Sequence, residues 1–182
     1  MESDLIDVLT ASAERFGKKA NDSREEMLAA ARLRQEAILG LKAEGLSVRE
    51  IGSRLGLSHT VVQQAVTTAR KLRPAKSRRE ERFPYELHVM LMPRVVEDPE
   101  AVRAVGRRNL EAMKDRPMAP VARKWVDRWA EILELPPADL AKHMLEDSEE
   151  GRDLRQVSPF AGVLDQRDRL VAMKKARFLE TA

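Results

Sequence analysis

Apolar residues recur along this chain at intervals of three and four, the spacing of a helix with one buried stripe, and almost nowhere in strict alternation. From Asp4 to Lys18 the repeat is Leu5, Val8, Leu9, Ala13 and Phe16, closed by Gly17 and two lysines. Asn21 or Asp22 is placed to cap a longer helix, whose expected buried stripe is Met27, Leu28, Ala31, Ile38 and Leu41 and which Gly45 ends. Two short periodic runs follow to about Arg73, where Pro74 stops the helix by removing an N–H donor and clashing with the preceding turn. The cationic stretch "RKLRPAKSRREER" then interrupts the pattern and reads as a domain boundary or connector.

Beyond it, "FPYELHVMLMP" alone has a strand flavour, but it is short, bounded by proline and without a partner strand, so helix is the expectation. Asp98-Pro99 has the form of an N-cap followed by proline at the first helical position, opening a helix to about Lys114. "VARKWVDRWAEIL" places Val121, Trp125, Trp129 and Ile132 on one face, with the tryptophan pair expected in a core rather than as a base-stacking platform. A Pro-Pro start opens another helix to about Leu145, "DSEEGRDLRQ" begins a polar helix or turn, "SPFAGV" breaks it, and a basic helix runs from Leu164 to Phe178. Phe160 is expected to dock into the core from that interhelical turn. The pattern predicts an all-α protein with an N-terminal helical domain over 1–73, a basic connector over 74–84 and a second helical domain over 85–182.

Composition agrees with small helical units carrying wide solvated faces, because 43% of the 182 residues are hydrophobic while 35% are charged and only 4% aromatic. The formal net charge of +3 is mild, so a polyanionic partner has to be met by local patches. The absence of cysteine excludes disulfide frameworks, thiol nucleophiles and thiolate metal sites, and fits a reducing cytoplasm. Met1 to Asp7 is acidic and polar and lacks the apolar run of a secretory leader, and no segment approaches the roughly 20 apolar residues of a membrane span. A soluble intracellular protein is the expectation.

The densest local specification lies in "GLSVREIGSRLGLSHTVVQQ", within a helix-turn-helix expected over about 46–71. Ser47 with Glu50 three residues later forms a capping box, and Leu46 with Ile51 occupies the flanking staple positions. Gly56 can take a positive φ to end the first helix, and Ser58 can cap the second, with Leu57 and Val62 as its staple. A step of about 100° per residue puts Val62, Ala65, Val66 and Ala69 on one face of the second helix, and Thr60, Gln64, Thr67 and Lys71 opposite, with Gln63 at the side. Amide and hydroxyl side chains of this length suit base edges in a major groove, where Gln can bond adenine N6 and N7 together.

On this reading His59, Thr60, Gln63, Gln64 and Thr67 face bases, with His59 equally able to meet a phosphate. Ser47, Arg49, Ser58, Arg70, Lys71 and Arg73 hold flanking phosphates. The plain alternative is a structural helical hairpin whose polar face merely meets water. Gln and Thr argue against it, since a merely solvated face more usually carries Glu and Lys.

"GLSVREIGSRLGLSHTVVQQAV" resembles the helix-turn-helix of bacterial and phage regulators and recombinases, which share a capped first helix, a Gly-apolar-Ser turn and a Thr-rich start to the recognition helix. The resemblance covers about an eighth of the chain. The wider layout, with "RKWVDRW" and "LRQVSPFAGVL" in the second domain, is similar to the immunity repressors of temperate mycobacteriophages. It implies a lysogeny repressor in the host bacterial cytoplasm and nucleoid, binding operator and stoperator sites on double-stranded DNA as a monomer, with a second DNA contact from the C-terminal domain. Lys76, Arg78, Arg79, Arg107, Arg108, Arg123 and Lys124 are the candidates for that contact. The same C-terminal phrases also resemble regulators of toxin-antitoxin systems. An antitoxin-like autoregulator with a protein partner is therefore an alternative, as is a recombination or partition accessory factor, and many helix-turn-helix proteins act as homodimers.

Charge is expected to divide the second domain, with Arg103, Arg107, Arg108, Lys114, Arg116, Arg123, Lys124 and Arg128 in its first half and acids concentrated over Asp139 to Asp153. Catalysis finds little footing. His59, His88 and His143 lie far apart with no metal-ligand spacing, and there is no Gly-rich phosphate loop or nucleophile elbow. Glu97-Asp98 and Glu149-Glu150 fall at expected helix starts, where the helix dipole accounts for them. No enzyme activity, cofactor, metal or small-molecule ligand is expected.

Overall fold

The computed structural model describes residues 24–74 and 79–180, and the described residues are all-α. Helix α1 occupies 24–43 of the described chain, followed by α2 (Val48–Leu55), α3 (His59–Lys71), α4 (Arg79–Glu97) and α5 (Pro99–Lys114). After these come α6 (Pro120–Leu133), α7 (Pro137–Leu145), α8 (Glu149–Gln156) and α9 (Gln166–Glu180). The expected helix over Asp4 to Lys18 and the cap at Asn21 or Asp22 lie outside the described residues. None of the described helices is long and apolar enough to cross a membrane.

The expected starts and stops hold where local chemistry sets them. Asp98 accepts a hydrogen bond from the Ala101 amide at 3.0 Å with Pro99 opening α5 behind it, and Ser148 caps α8 by accepting from the Gly151 amide at 2.9 Å. The segment with strand flavour is helical, yet α4 is longer than its prolines suggest. It spans 19 residues and continues through Pro84 and Pro93, each of which removes one amide from the ladder. Burial on several sides outweighs those lost bonds, because α4 packs against α5, α7, α8 and α9 and contributes Tyr85, Val89, Leu91, Met92 and Val95 to the interior.

Two apolar cores result. The larger is built around Trp129 by α4 to α8, with Val126, Ile132, Leu133, Leu140, Met144, Leu154 and Phe160. Trp129 donates its indole N–H to the Leu154 carbonyl at 2.8 Å, so its polar edge is satisfied inside. Trp125 is only partly buried, and Val121 is 68% exposed, which corrects the expected stripe. The buried face of α6 is instead Val126, Trp129, Ile132 and Leu133. Phe160 docks as expected, edge-on to Trp129 with ring centroids 5.2 Å apart. The amide of Asn109 anchors its turn by donating to the Pro159 and Ala161 carbonyls at 2.7 and 2.8 Å.

The smaller core joins Ile38 and Leu39 of α1 to Ile51 of α2 and Val62, Ala65, Val66 and Ala69 of α3, with Phe178 and Leu179 of α9 packed against it. Helix α9 therefore packs on α4 while its end covers the smaller core. The stripe expected on α1 is correct only towards its C-terminal end, since Ile38 is buried while Met27 is 70% and Leu28 60% exposed.

Candidate nucleic-acid interface

The turn between α2 and α3 is fixed at both ends by short-range bonds. The Ser47 amide donates to Glu50 Oε2 at 2.7 Å and the Glu50 amide donates to Ser47 Oγ at 3.2 Å, completing the capping box. Those bonds from Ser47 hold the Glu50 carboxyl below the usual carboxylate range. Gly56 ends α2 at φ +64°, a left-handed conformation that a side chain disfavours. The Leu57 amide then donates back to the Gly52 carbonyl at 2.9 Å, and Ser58 caps α3 by accepting from the Val61 amide at 3.3 Å.

With the turn set, burial of Val62, Ala65, Val66 and Ala69 decides which way α3 faces. His59, Thr60, Gln63, Gln64 and Lys71 stand exposed on the other side, with Arg49 exposed on α2. Helix α3 contains no carboxylate in 13 residues, although the whole chain carries 30 acids. The outward face of α3 thus offers hydrogen-bonding groups and cations with no carboxylate of its own. Thr67 is half-buried and its hydroxyl donates to the Gln63 carbonyl at 2.9 Å, so its methyl and lone pairs are what it has left to offer. Ser47 and Ser58 remain exposed, but their oxygens are engaged in capping before any phosphate arrives.

Arg73 does not face a phosphate. Its guanidinium lies in the interior, donating to Glu36 of α1 at 2.6 Å and to both carboxylate oxygens of Glu86 of α4 at 2.9 Å. Lys175 of α9, with none of its side chain exposed, approaches the same carboxylates at 2.7 and 3.2 Å. Burial alone would raise the Glu36 carboxyl, but the Arg73 hydrogen bonds and the Lys175 charge outweigh it, leaving it below its ordinary value. Burial likewise opposes charge on Arg73, and the Glu36 hydrogen bonds and Glu86 charge override it, raising its pKa. Arg70 also turns inward, its guanidinium 4.7 Å above the Phe178 ring. Of the cations expected on phosphate near this helix, Arg49 and Lys71 stand exposed, as does Arg54 on α2.

In the second half several cations of the expected basic stretch are paired with acids. Arg107 forms a two-pronged pair with Glu134, both bonds at 2.8 Å, and Arg128 binds Glu150 at 2.9 Å and Glu131 at 2.7 Å. Arg103 pairs with Glu100. Arg128–Glu150 links the basic stretch to the acidic one where α6 packs on α8, whereas the other pairs draw on acids of α5, α6 and the residue that ends α6. Of the candidates for a second contact, Arg108, Arg123 and Lys124 are exposed and form no ion pair among the described residues. Arg123 donates to the Lys114 carbonyl at 3.4 Å and Lys124 lies 4.4 Å over the Trp125 ring. Lys76 and Arg78 lie outside the described residues. Arg79 opens α4, so part of the expected connector is helix.

His88 is a core residue, ringed by Trp129 and Phe160 with centroids 5.8 Å away. Its Nδ1 donates to the Met144 carbonyl at 3.2 Å and its Nε2 lies 2.8 Å from Ser158 Oγ, whose hydroxyl donates to it when the ring is neutral. Burial pushes its pKa down to about 3. No cluster of three metal-ligating side chains occurs among the described residues.

Residues the sequence did not single out are Val61 and the buried partners Glu36, Glu86 and Lys175. Val61 could be found from the helical step, which places it about 60° from Gln64. The ionic partners come from three separate helices and share no local signal. Comparison of the chain with protein-family models, curated proteins and solved structures gave no match.

Proposed function

We propose that this protein is a sequence-specific double-stranded-DNA-binding repressor that acts by occupying its site, of the phage-immunity kind. The observation that carries the reading is the outward face of α3, where Thr60, Gln63 and Gln64 stand together on a helix free of carboxylates and held by two side-chain caps. Cations position and amides read: Lys71 and Arg49 meet phosphates, while Gln64 and Gln63 meet base edges. Among the residues expected to make a second contact, the exposed Arg108, Arg123 and Lys124 add phosphate contacts. The mechanism is steric and needs no bond-making chemistry.

Footprinting on the neighbouring DNA, with the mass in solution measured alongside, tests it. A palindromic footprint identifies a dimer, and an asymmetric one a monomer using both halves. Gln64→Ala should relax preference at one or two base pairs by about 1–3 kcal/mol. Lys71→Ala should weaken all sequences alike and flatten the salt slope by about one unit. Equal affinity for every duplex at physiological salt would overturn the proposal. Co-purification of a stoichiometric protein partner would support the antitoxin-like alternative instead.

A further inference from the structure

The outward side of α3 carries one apolar side chain that its own core does not use. Val61 is 45% exposed, while its neighbour Val62 is fully buried. Its position in the first turn is set from outside the side chain, because its amide is the donor that Ser58 caps at 3.3 Å. Three residues on, Gln64 lies exposed one helical turn above it, a spacing of about 5–6 Å between Cβ atoms. Thr60, Gln63, Gln64 and Lys71 supply hydrogen bonds and charge on this side, so Val61 is its aliphatic group.

We infer that Val61 is a specificity-determining residue that packs against the C5-methyl group of a thymine in the major groove, beside the base edge bonded by Gln64. The inference rests on the DNA-reading proposal above and deepens it. The chemistry is selective because thymine alone among the four bases presents a methyl group in that groove. A β-branched side chain suits the task, since one χ1 rotamer dominates in a helix and little entropy is lost on contact. Successive base pairs rise about 3.4 Å, so a 5–6 Å offset between Val61 and Gln64 sets the thymine one or two base pairs from the base that Gln64 reads.

The test uses the full chain and the duplex it enriches from a randomised pool. Each thymine in that duplex is replaced singly by deoxyuridine, which removes only the methyl group. Wild type should lose about three- to fivefold in affinity at one thymine adjacent to the Gln64-dependent position, the worth of one buried methyl. Val61→Ala should bind the thymine and uracil duplexes equally, and Val61→Thr, which keeps a methyl on Cβ, should restore the preference. An enriched duplex whose thymines can all be replaced without loss, or a Val61→Ala protein that still discriminates as wild type does, overturns this inference alone. A pool that yields no enriched sequence overturns the DNA-reading proposal and this inference with it.

Discussion

The buried cluster of Glu36, Arg73, Glu86 and Lys175 gives the sharpest test of how the two cores are joined. It holds two carboxylates and two cations, so it is neutral, and it draws one group each from α1, the end of α3, α4 and α9. Lys175→Met keeps the length of the side chain but leaves two negative charges facing one positive. The ammonium has none of its side chain exposed and lies 2.7 Å from Glu36 and 3.2 Å from Glu86, so water cannot replace it without opening the junction. Removing one partner of such a buried set costs about 3–5 kcal/mol. Lys175→Met combined with Glu86→Gln restores neutrality around the Arg73–Glu36 pair and should cost clearly less than Lys175→Met alone.

Urea unfolding followed by circular dichroism, at pH 7 and again at lower pH, reads both variants. The deficit of Lys175→Met should narrow as the pH falls, because a proton on either carboxyl removes the surplus negative charge. A loss below about 1 kcal/mol for Lys175→Met, or a double variant no more stable than Lys175→Met alone, would refute the cluster as a coupled unit.

Two further outcomes follow from local geometry. His88 titrates near 6.5 when unfolded and near 3 when folded, so the unfolded chain binds more protons between those values and stability falls as the pH drops through 6.5. At pH 5 its contribution should stand about 2 kcal/mol below that at pH 7, and His88→Gln should show a flatter pH profile of unfolding than wild type; equal slopes would refute the neutral buried ring. At Gly52 an added Cβ would lie 2.7 Å from the Leu57 carbonyl oxygen, so Gly52→Ala forces the turn to shift. It should destabilise the chain by about 1–3 kcal/mol in urea unfolding, despite alanine's better helix propensity, and unchanged stability would show the turn to be looser than its bonds imply.

Legibility in the sequence followed the range of the interactions. The helix-turn-helix was open to reading because its determinants lie within a few residues of one another. Ser47 and Glu50, Gly56, and Ser58 act through bonds three to five residues apart, and the helical step then places Thr60, Gln63 and Gln64 opposite Val62 and Val66. The same holds for the Asp98 cap, for the helix start at Glu149 and for the all-α class. The course of α4 through Pro84 and Pro93 was not legible, since the penalty of a proline is local whereas the burial that offsets it comes from four other helices.

Charge was misjudged for the same reason. Composition fixes how many cations there are, and local spacing puts Lys71 on the outward side of α3. Only the tertiary structure decided which of them still face solvent. Arg73 and Lys71, two residues apart, are equally plausible phosphate ligands in one dimension, yet folding turns Arg73 in to Glu36 and Glu86 and leaves Lys71 outside. A carboxylate arriving from a distant segment captures whichever cation lies within hydrogen-bond reach in a desolvated junction, and that distance is a property of packing, not of spacing along the chain.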